Sequence, residues 1–347
     1  MDRAGNLQAG LSDGEGVFVS SYANIFYYSG FSSEDAKLII TKDKKILITD
    51  ARYFIQAKIQ APDFVIADIR EGLKKILSEL RISLLGYEEE YLTCAEYERL
   101  RNQDISLKPM QESISAPRKI KDRSEIDRIH AAEQIGDAAF SHILGYLHTG
   151  LTEWEVALEL EYFMKKNGAS KLSFDTIVAS GIRSAMPHGV ASNKVIEDGD
   201  FVTMDFGCVL DGYCSDMTRT VVMGKASRKQ KEIYSIVKQA QEAALTAIVC
   251  GKACNQIDEA ARALICEAGY GENFAHSLGH SVGIEIHESP NFSARCREVI
   301  TNGHVITVEP GIYIEGFGGV RIEDVVAIWN DKVINLTASS KELIEIL

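Results

Sequence analysis

The stretch FVTMDFGCVLDGYCSDMTRTVV, residues 201–222, reads as two β-rich runs joined at Asp211-Gly212, a strong short-range signal for a β-hairpin. Each run carries a carboxylate where a core strand would place an apolar side chain: Asp205 in the first, Asp216 in the second. With the turn centred on Leu210 and Asp211, these two residues face each other directly. With it centred on Asp211 and Gly212, Asp216 becomes the diagonal neighbour of the residue facing Asp205, on the same face and within roughly 8 Å. Either register brings the carboxylates together. Like charges so placed destabilise a sheet unless something positive lies between them. A bound cation is the economical reading, against two Asp on a solvated face.

Downstream the pattern recurs. Glu309 interrupts VITVEPGIYI and Glu323 interrupts GVRIEDVVAI, with the Gly-rich turn EGFGG at 315–319 between them. Upstream of each hairpin lie two helical segments. Ser124, with Asp127 three residues on, is placed to cap the first, and its stripe runs through Ile126, Ile129, Ile135, Ala139 and Ile143. Thr152 and Glu155 form a capping box for the second, and strand material follows over 172–179. Ser227 and Gln230 open the third helix, and Asn255 is placed to cap the fourth, which stops at Gly269. Asp205 lies 81 residues beyond Ser124 and Glu309 lies 82 beyond Ser227. The matching offsets point to an internal duplication, each half being two helices and a hairpin with two carboxylates.

A two-fold arrangement of such halves gathers Asp205, Asp216, Glu309 and Glu323 into one pocket, and His280, among the glycines of HSLGHSVG, completes it. Four carboxylates balance two divalent ions and are costly to bury without them. Oxygen-rich ligation with one imidazole and no thiolate favours Mn²⁺ ahead of Zn²⁺, with Co²⁺ or Fe²⁺ also compatible. Two such ions bridged by a hydroxide would carry out hydrolysis, lowering the water pKa and stabilising the oxyanion of an attacked carbonyl.

The rest of the chain bounds this reading. Its 347 residues suggest two domains. The first, 1–118, alternates strands at 17–21, 37–41 and 45–49 with helices at 51–60 and 73–80, an α/β pattern with scattered acids and a structural or substrate-covering role. Glu88-Glu89-Glu90 reads there as a solvated charge run. The second domain spans 124–347 and begins within the boundary-like segment APRKIKDRSEID, residues 116–127. A net charge of −13 opposes binding to nucleic acid or to an anionic membrane. No apolar run is long enough to span a bilayer, and the first residues lack the apolar centre of a signal peptide. The seven cysteines show no regular spacing, so reduced thiols in the cytoplasm are expected. Cys208 and Cys214 read as packing residues, and Cys250 and Cys254 as an isolated pair without metal character.

The strings MDFG (204–207), SDMTRT (215–220), HSLGHSVGIEIHESP (276–290), VEPGIY (308–313) and VRIED (320–324) resemble the pita-bread metallopeptidases, the group of aminopeptidase P, prolidase, methionine aminopeptidase and the metal-free creatinase. NIFYYSGF (24–31) and TDARY (49–53) extend the resemblance more weakly into the first domain. It implies an α+β catalytic domain with a curved antiparallel sheet and pseudo-two-fold halves, behind an α/β creatinase-like N-terminal domain, in a chain that is commonly a homodimer. It further implies that Asp205 chelates one metal, that Asp216 and Glu323 bridge the pair, and that His280 and Glu309 complete the second ion. Glu309 would also shuttle the proton of the attacking water. His188 and His287 would bind substrate and stabilise the tetrahedral intermediate, while His276 and Arg321 would face substrate or flank the metal shell. His130, His142, His148 and His304 match nothing and are expected to be surface or core residues.

Creatinase-like chains lack the metal ligands, and methionine aminopeptidases usually lack an N-terminal domain of this size. The resemblance therefore narrows to the proline-directed branch, whose substrates are small peptides with an Xaa-Pro bond. A proline nitrogen carries no N–H and its ring fixes φ, so enzymes that hold substrate as an added strand handle it poorly. Removal of the residue before proline, as in aminopeptidase P, is the main expectation, and cleavage of Xaa-Pro dipeptides, as in prolidase, the alternative. A non-catalytic binding module on this fold is the remote rival, since such proteins typically lose ligands.

Overall fold

The computed structural model describes residues 2–347. The chain divides into two compact units, the first ending at Arg118 and the second beginning at Lys119.

In the first unit, strands β1 (Glu15–Val19), β2 (Lys37–Thr41), β3 (Lys45–Thr49), β4 (Val65–Asp68), β5 (Leu84–Tyr87) and β6 (Ser106–Pro109) form one mixed sheet in the order β4-β3-β2-β1-β5-β6. Helices α1 (Arg3–Ala9), α2 (Tyr22–Ser29), α3 (Phe54–Gln60), α4 (Leu73–Glu79), α5 (Cys94–Arg101) and α6 (Gln111–Ser115) complete it. The expected strands at 37–41 and 45–49 form the β2–β3 hairpin, and β3–β4, β1–β5 and β5–β6 are parallel. Helix α3 starts three residues later than its pattern suggests. The acidic run at 88–90 is not uniformly solvated. Glu88 is fully buried, and its carboxylate accepts from the Ser21 N–H at 2.9 Å, the Ser21 hydroxyl at 2.6 Å and the Asn24 amide at 2.6 Å. It thus holds the N-terminus of α2, where unpaired N–H groups and the helix dipole favour an anion.

The second unit contains α7 (Arg123–Tyr146), α8 (Glu153–Lys166), α9 (Arg228–Ala247) and α10 (Cys254–Glu267). Its first half carries β7 (Lys171–Leu172), β8 (Ile177–Ser180), β9 (Phe201–Phe206), β10 (Cys208–Leu210), β11 (Tyr213–Cys214) and β12 (Met217–Met223). The second half carries β13 (Gly279–Ser281), β14 (Glu288–Phe292), β15 (Val305–Val308), β16 (Gly311–Ile314), β17 (Gly318–Arg321), β18 (Asp324–Trp329) and β19 (Lys332–Asn335), and the chain ends in β20 (Glu345–Ile346). The sheet segments are antiparallel except where β20 joins β12. The expected strand at 172–179 is two short pieces, β7 and β8, in different sheets.

Each half has its own core. Ile135, Ala139 and Ile143 of α7 and Val156 and Leu160 of α8 pack on Val202, Met204 and Phe206 of β9. Val237, Ala240 and Ala244 of α9 and Ile257 and Ala261 of α10 pack on Ile306, Val308 and Val326. The strand period of two therefore turns residues 205, 307 and 309 to the face opposite the helices. Two helices packed on a strand-rich half, repeated once, is the arrangement that the pseudo-two-fold reading of the sequence expects.

Two helix starts differ from the sequence reading. The cap of α7 is Asp122, whose carboxylate accepts from the Glu125 N–H while Glu125 reaches back to the Asp122 N–H; Ser124 lies in the first turn and donates to Asp122. Two overlapping capping patterns were present, and the charged acceptor with Glu three residues on prevails. Helix α10 is preceded by Ala253, not capped by Asn255. The Cys254 and Asn255 N–H groups go to the Glu298 and Cys296 carbonyls at 2.9 and 3.0 Å, so a neighbouring chain segment satisfies them.

Candidate metal centre

Asp205 lies in β9, facing Thr218 of β12 on one side and Ile177 of β8 on the other. Leu210 faces Tyr213, so the turn centres on Asp211-Gly212. Both turn residues have positive φ, 48° and 82°, as a two-residue type I′ turn needs. Asp216 is then the diagonal neighbour, in the two-residue gap between β11 and β12. Its N–H is donated to Glu133 of α7 at 2.8 Å. Gly207 permits the strands to close here: a Cβ on it would lie 2.0 Å from the Ser215 carbonyl oxygen.

The second hairpin breaks at the corresponding place. Val308 faces Asp324 and Gly311 faces Arg321, one register on both sides of the gap. Glu309 and Glu323 occupy facing positions inside it. The Glu309 N–H is donated to the Leu278 carbonyl at 2.8 Å and the Glu323 N–H to the Thr218 carbonyl at 3.1 Å, which ties the second hairpin to the first. Each hairpin thus gives up its ladder where its carboxylates turn inward.

Asp216, His280 and Glu323 each offer a ligand atom, all within 4.8 Å of one another. The His280 Nε2 is 3.5 Å from Asp216 Oδ2 and 3.4 Å from Glu309 Oε1. Asp205 Oδ2 takes a 2.6 Å bond from Arg321 Nη2, whereas its Oδ1 is buried without a partner. Burial, with the charges of Glu323, Asp205 and Glu309, pushes Asp216 well above the usual carboxylate range. Burial likewise raises Glu323, reinforced by Glu309 and Asp205, and lifts Glu309 to about 8. Burial lowers His280 to about 4, with His287 adding to the shift, so its imidazole is neutral and able to ligate. A vacant buried carboxylate oxygen and four crowded carboxylates beside a neutral imidazole fit a pair of divalent cations.

A directional hydrogen-bond chain flanks these donors. Arg321, buried, donates to the Thr218 hydroxyl at 3.0 Å, the Pro187 carbonyl at 3.1 Å and the Tyr313 hydroxyl at 2.7 Å, besides Asp205. Tyr313 lies 3.0 Å from His276 Nε2, and His276 Nδ1 lies 2.8 Å from the Ser277 carbonyl. Burial holds Tyr313 protonated, its pKa pushed to about 12, and His276 neutral, lowered to about 4. Nδ1 then carries the imidazole proton and Nε2 accepts from Tyr313. Arg321 therefore spends most of its donors inside the protein and grips Asp205. Tyr313 was not among the residues singled out from sequence, although it closes the string VEPGIY.

His188 and His287 are exposed. The His287 ring is 4.3 Å from that of His280, inclined at 75°. His287 is lowered by burial and by His188, which also depresses His276, so the three imidazoles border one region. The loop before His287 is held by an ion pair that sequence reading missed: Lys121 Nζ lies 3.0 Å from Glu288 Oε2, with side chains 1% and 5% exposed. Glu288 Oε1 accepts from the Ile284 and Glu285 N–H groups at 3.1 and 3.2 Å. Removing either charge would strand the other away from water.

Two of the unassigned histidines, His142 and His304, have structural surroundings. His304 is buried, with Nδ1 accepting from the Thr301 N–H, and His142 pairs with Glu159 and stacks on Phe163. All seven cysteines are free, and burial lifts the Cys208 and Cys214 thiols to about 11 and about 12, as expected of packing residues.

Residues 127–330 match metallopeptidase family M24, and residues 10–120 match the creatinase/prolidase N-terminal domain. The Xaa-Pro dipeptidase of Pyrococcus furiosus is 41% identical over 334 residues, 94% of each chain. A solved Xaa-Pro dipeptidase from Bacillus anthracis is 43% identical, covers 99% of this chain and 98% of its own, and superposes with a TM-score of 0.95. A solved X-Pro aminopeptidase from Thermotoga maritima is 38% identical, with a TM-score of 0.92 and coverage of 98% and 99%. The broken hairpins, their inward carboxylates and this likeness along nearly the whole chain have one reading: the protein belongs to metallopeptidase family M24.

Proposed function

We propose that the chain hydrolyses the bond before proline, releasing the N-terminal residue from substrates with proline second, and that Xaa-Pro dipeptides are among them. The observation that carries this is the convergence of Asp205, Asp216, His280, Glu309 and Glu323 on one buried centre, in a chain whose relatives are named Xaa-Pro dipeptidase or X-Pro aminopeptidase. The relatives named above lean towards dipeptides, and the Thermotoga protein's name keeps longer peptides open.

Asp205, Asp216, His280, Glu309 and Glu323 would hold two divalent ions, Mn²⁺ ahead of Co²⁺, Fe²⁺ or Zn²⁺ for this oxygen-rich set. When bound, such ions activate water and polarise the scissile carbonyl. Glu309 takes the proton of the attacking water and delivers it to the departing proline nitrogen. His188 and His287, on the open side, donate to the carbonyl oxygen as charge develops on it. Arg321 and Tyr313 keep the Asp205 carboxylate turned inward. His276, the far end of that chain, borders the substrate.

The test is release of the N-terminal amino acid, with Mn²⁺ restored after chelation, from an Xaa-Pro dipeptide and an Xaa-Pro-Yaa-Yaa peptide in parallel. Turnover of the dipeptide is the expected result. Turnover of both places the chain with the aminopeptidases, and silence on both overturns the reading.

The chain also fits a homodimer in the cytoplasm. Ile55 and Ile59, one turn apart on α3, are 79% and 73% exposed, and Val65, which opens edge strand β4, is 62% exposed. A second copy would cover this apolar patch, which a monomer rarely leaves open. Ile55→Glu with Ile59→Glu should convert the dimer to monomer in sedimentation velocity. A mass unchanged from the unaltered protein would remove this face from the interface. No helix among the described residues is long and apolar enough to cross a membrane, and seven free cysteines suit a reducing compartment.

A further inference from the structure

Helix α7 contributes Ala132, Ile135, Ala139 and Phe140 to the core of its half, yet in that same stretch it buries Glu133 completely. Among the described residues no Lys or Arg forms an ion pair with it. Oε1 accepts the Asp216 N–H at 2.8 Å, and Oε2 accepts the Thr337 hydroxyl at 3.1 Å. An apolar side chain would pack there without desolvating a carboxyl. What it could not do is serve the N–H of Asp216, which lies in the gap of the first hairpin.

The other half shows a parallel device. Gln241, fully buried on α9, donates to Asp324 Oδ2 at 2.9 Å, and Asp324 directly follows Glu323. In both halves the first helix sends a buried polar side chain to its hairpin's break or the residue that borders it, Asp216 in one half and Asp324, next to Glu323, in the other.

We infer that Glu133 is a positioning residue for the metal centre: its carboxyl fixes the backbone of Asp216, and through it the carboxylate that faces His280 and Glu323. This rests on the metal-binding reading given above. Glu133 itself is not part of the cluster of candidate ligand atoms formed by Asp216, His280 and Glu323. Its contribution is an acceptor at a defined place, so geometry matters more than charge. Groups that orient metal ligands typically change affinity by about 10- to 100-fold when removed.

The test is calorimetric titration of chelated, dialysed protein with Mn²⁺, alongside thermal unfolding of the metal-free forms. Glu133→Gln keeps an acceptor at the same reach and should bind Mn²⁺ within about threefold of the unaltered protein. Glu133→Asp withdraws the acceptor by one methylene while keeping a carboxyl, and should weaken binding by about tenfold or more. Equal affinity in Glu133→Asp would overturn the inference, as would a Gln variant as weak as the Asp variant. Metal-free unfolding temperatures separate positioning from bulk stability: a purely structural role lowers the temperature and leaves affinity unchanged. If Glu133→Asp does not fold, Thr337→Val carries the test. It frees Oε2 without touching a ligand and should weaken Mn²⁺ several-fold, unchanged affinity overturning the inference. Absence of Mn²⁺ binding in the unaltered protein would overturn both this inference and the metal-binding reading.

Discussion

Asp216→Ala removes Mn²⁺ binding at the paired site and lowers turnover of an Xaa-Pro dipeptide by about 10³-fold or more, while leaving the metal-free protein at least as stable as before. The first part follows from position: Asp216 shares its 4.8 Å cluster with His280 and Glu323 and faces both. Metal ions supply several kcal/mol of transition-state stabilisation in such hydrolyses, and each 1.36 kcal/mol is about a decade in rate. The second part separates loss of a ligand from loss of the fold. In the metal-free protein Asp216 is a buried acid crowded by Glu323, Asp205 and Glu309, so deleting its carboxyl relieves desolvation and repulsion. Calorimetry with Mn²⁺, thermal unfolding and a coupled proline assay measure the three quantities. A folded variant that retains turnover would sink the assignment of Asp216 as a ligand.

Protein stripped of metal should lose stability as pH rises from 6.5 to 8, and Mn²⁺ should reverse the trend. Glu309 and Glu133 are both raised by burial from 4.5 to about 8, and Asp216 and Glu323 are raised well above their ordinary values. A folded-state pKa above the unfolded one means that the folded chain binds more protons, so stability is full below about 4.5 and is lost as pH rises towards 8. Below 6.5 the lowered imidazoles of His276, His280 and His304, all at about 4, act oppositely, since unfolding lets them take up protons. The clean window is therefore 6.5 to 8. Across it Glu309 and Glu133 each account for on the order of 2 kcal/mol. Bound metal requires ionised carboxylates, so its affinity rises with pH. The gap in unfolding temperature between Mn²⁺-loaded and chelated protein should widen from pH 6.5 to 8. A gap independent of pH, or a chelated protein that grows more stable over that range, would contradict the burial of these acids.

Much of the centre was legible before any coordinates. Asp205 and Asp216 stand out because strand period and turn chemistry are local properties. The turn at Asp211-Gly212 restricted the register to two choices that both joined the carboxylates. Glu309 and Glu323 follow from the same logic, His280 from its place among glycines between the second helix pair and the second hairpin, and the repeated order of caps, helices and hairpins survives the move of the first cap from Ser124 to Asp122. The helix-start errors have a common origin. Ser124 competed with a charged acceptor two residues away, and Asn255 lost its part because carbonyls at 296 and 298 reach the start of α10 from another segment.

Residues whose meaning depends on distant partners were not legible. Glu88 looks like one member of a solvated run until Ser21 and Asn24, 67 and 64 residues earlier, are folded against it. Lys121 and Glu288 are 167 residues apart, and neither has a neighbour in sequence that predicts burial. Glu133 reads as an ordinary polar residue of an amphipathic helix, yet it serves an N–H 83 positions later. Tyr313 gains its role because Arg321, at the end of β17, and His276, in the loop before β13, both approach it.

By itself the sequence determined which residues could bind and hydrolyse. Two carboxylate pairs at strand positions, one imidazole among glycines and a duplicated order of elements point to a two-metal hydrolytic centre through periodicity, turn preference and charge balance, all of which act over a few residues, and the resemblance of the motifs around them adds the metallopeptidase family. The tertiary structure alone decided the register, the anchors and the protonation of the centre. Those depend on burial and on contacts between segments scores of residues apart, where desolvation sets each pKa and a hydrogen-bond partner arrives from wherever the chain packs.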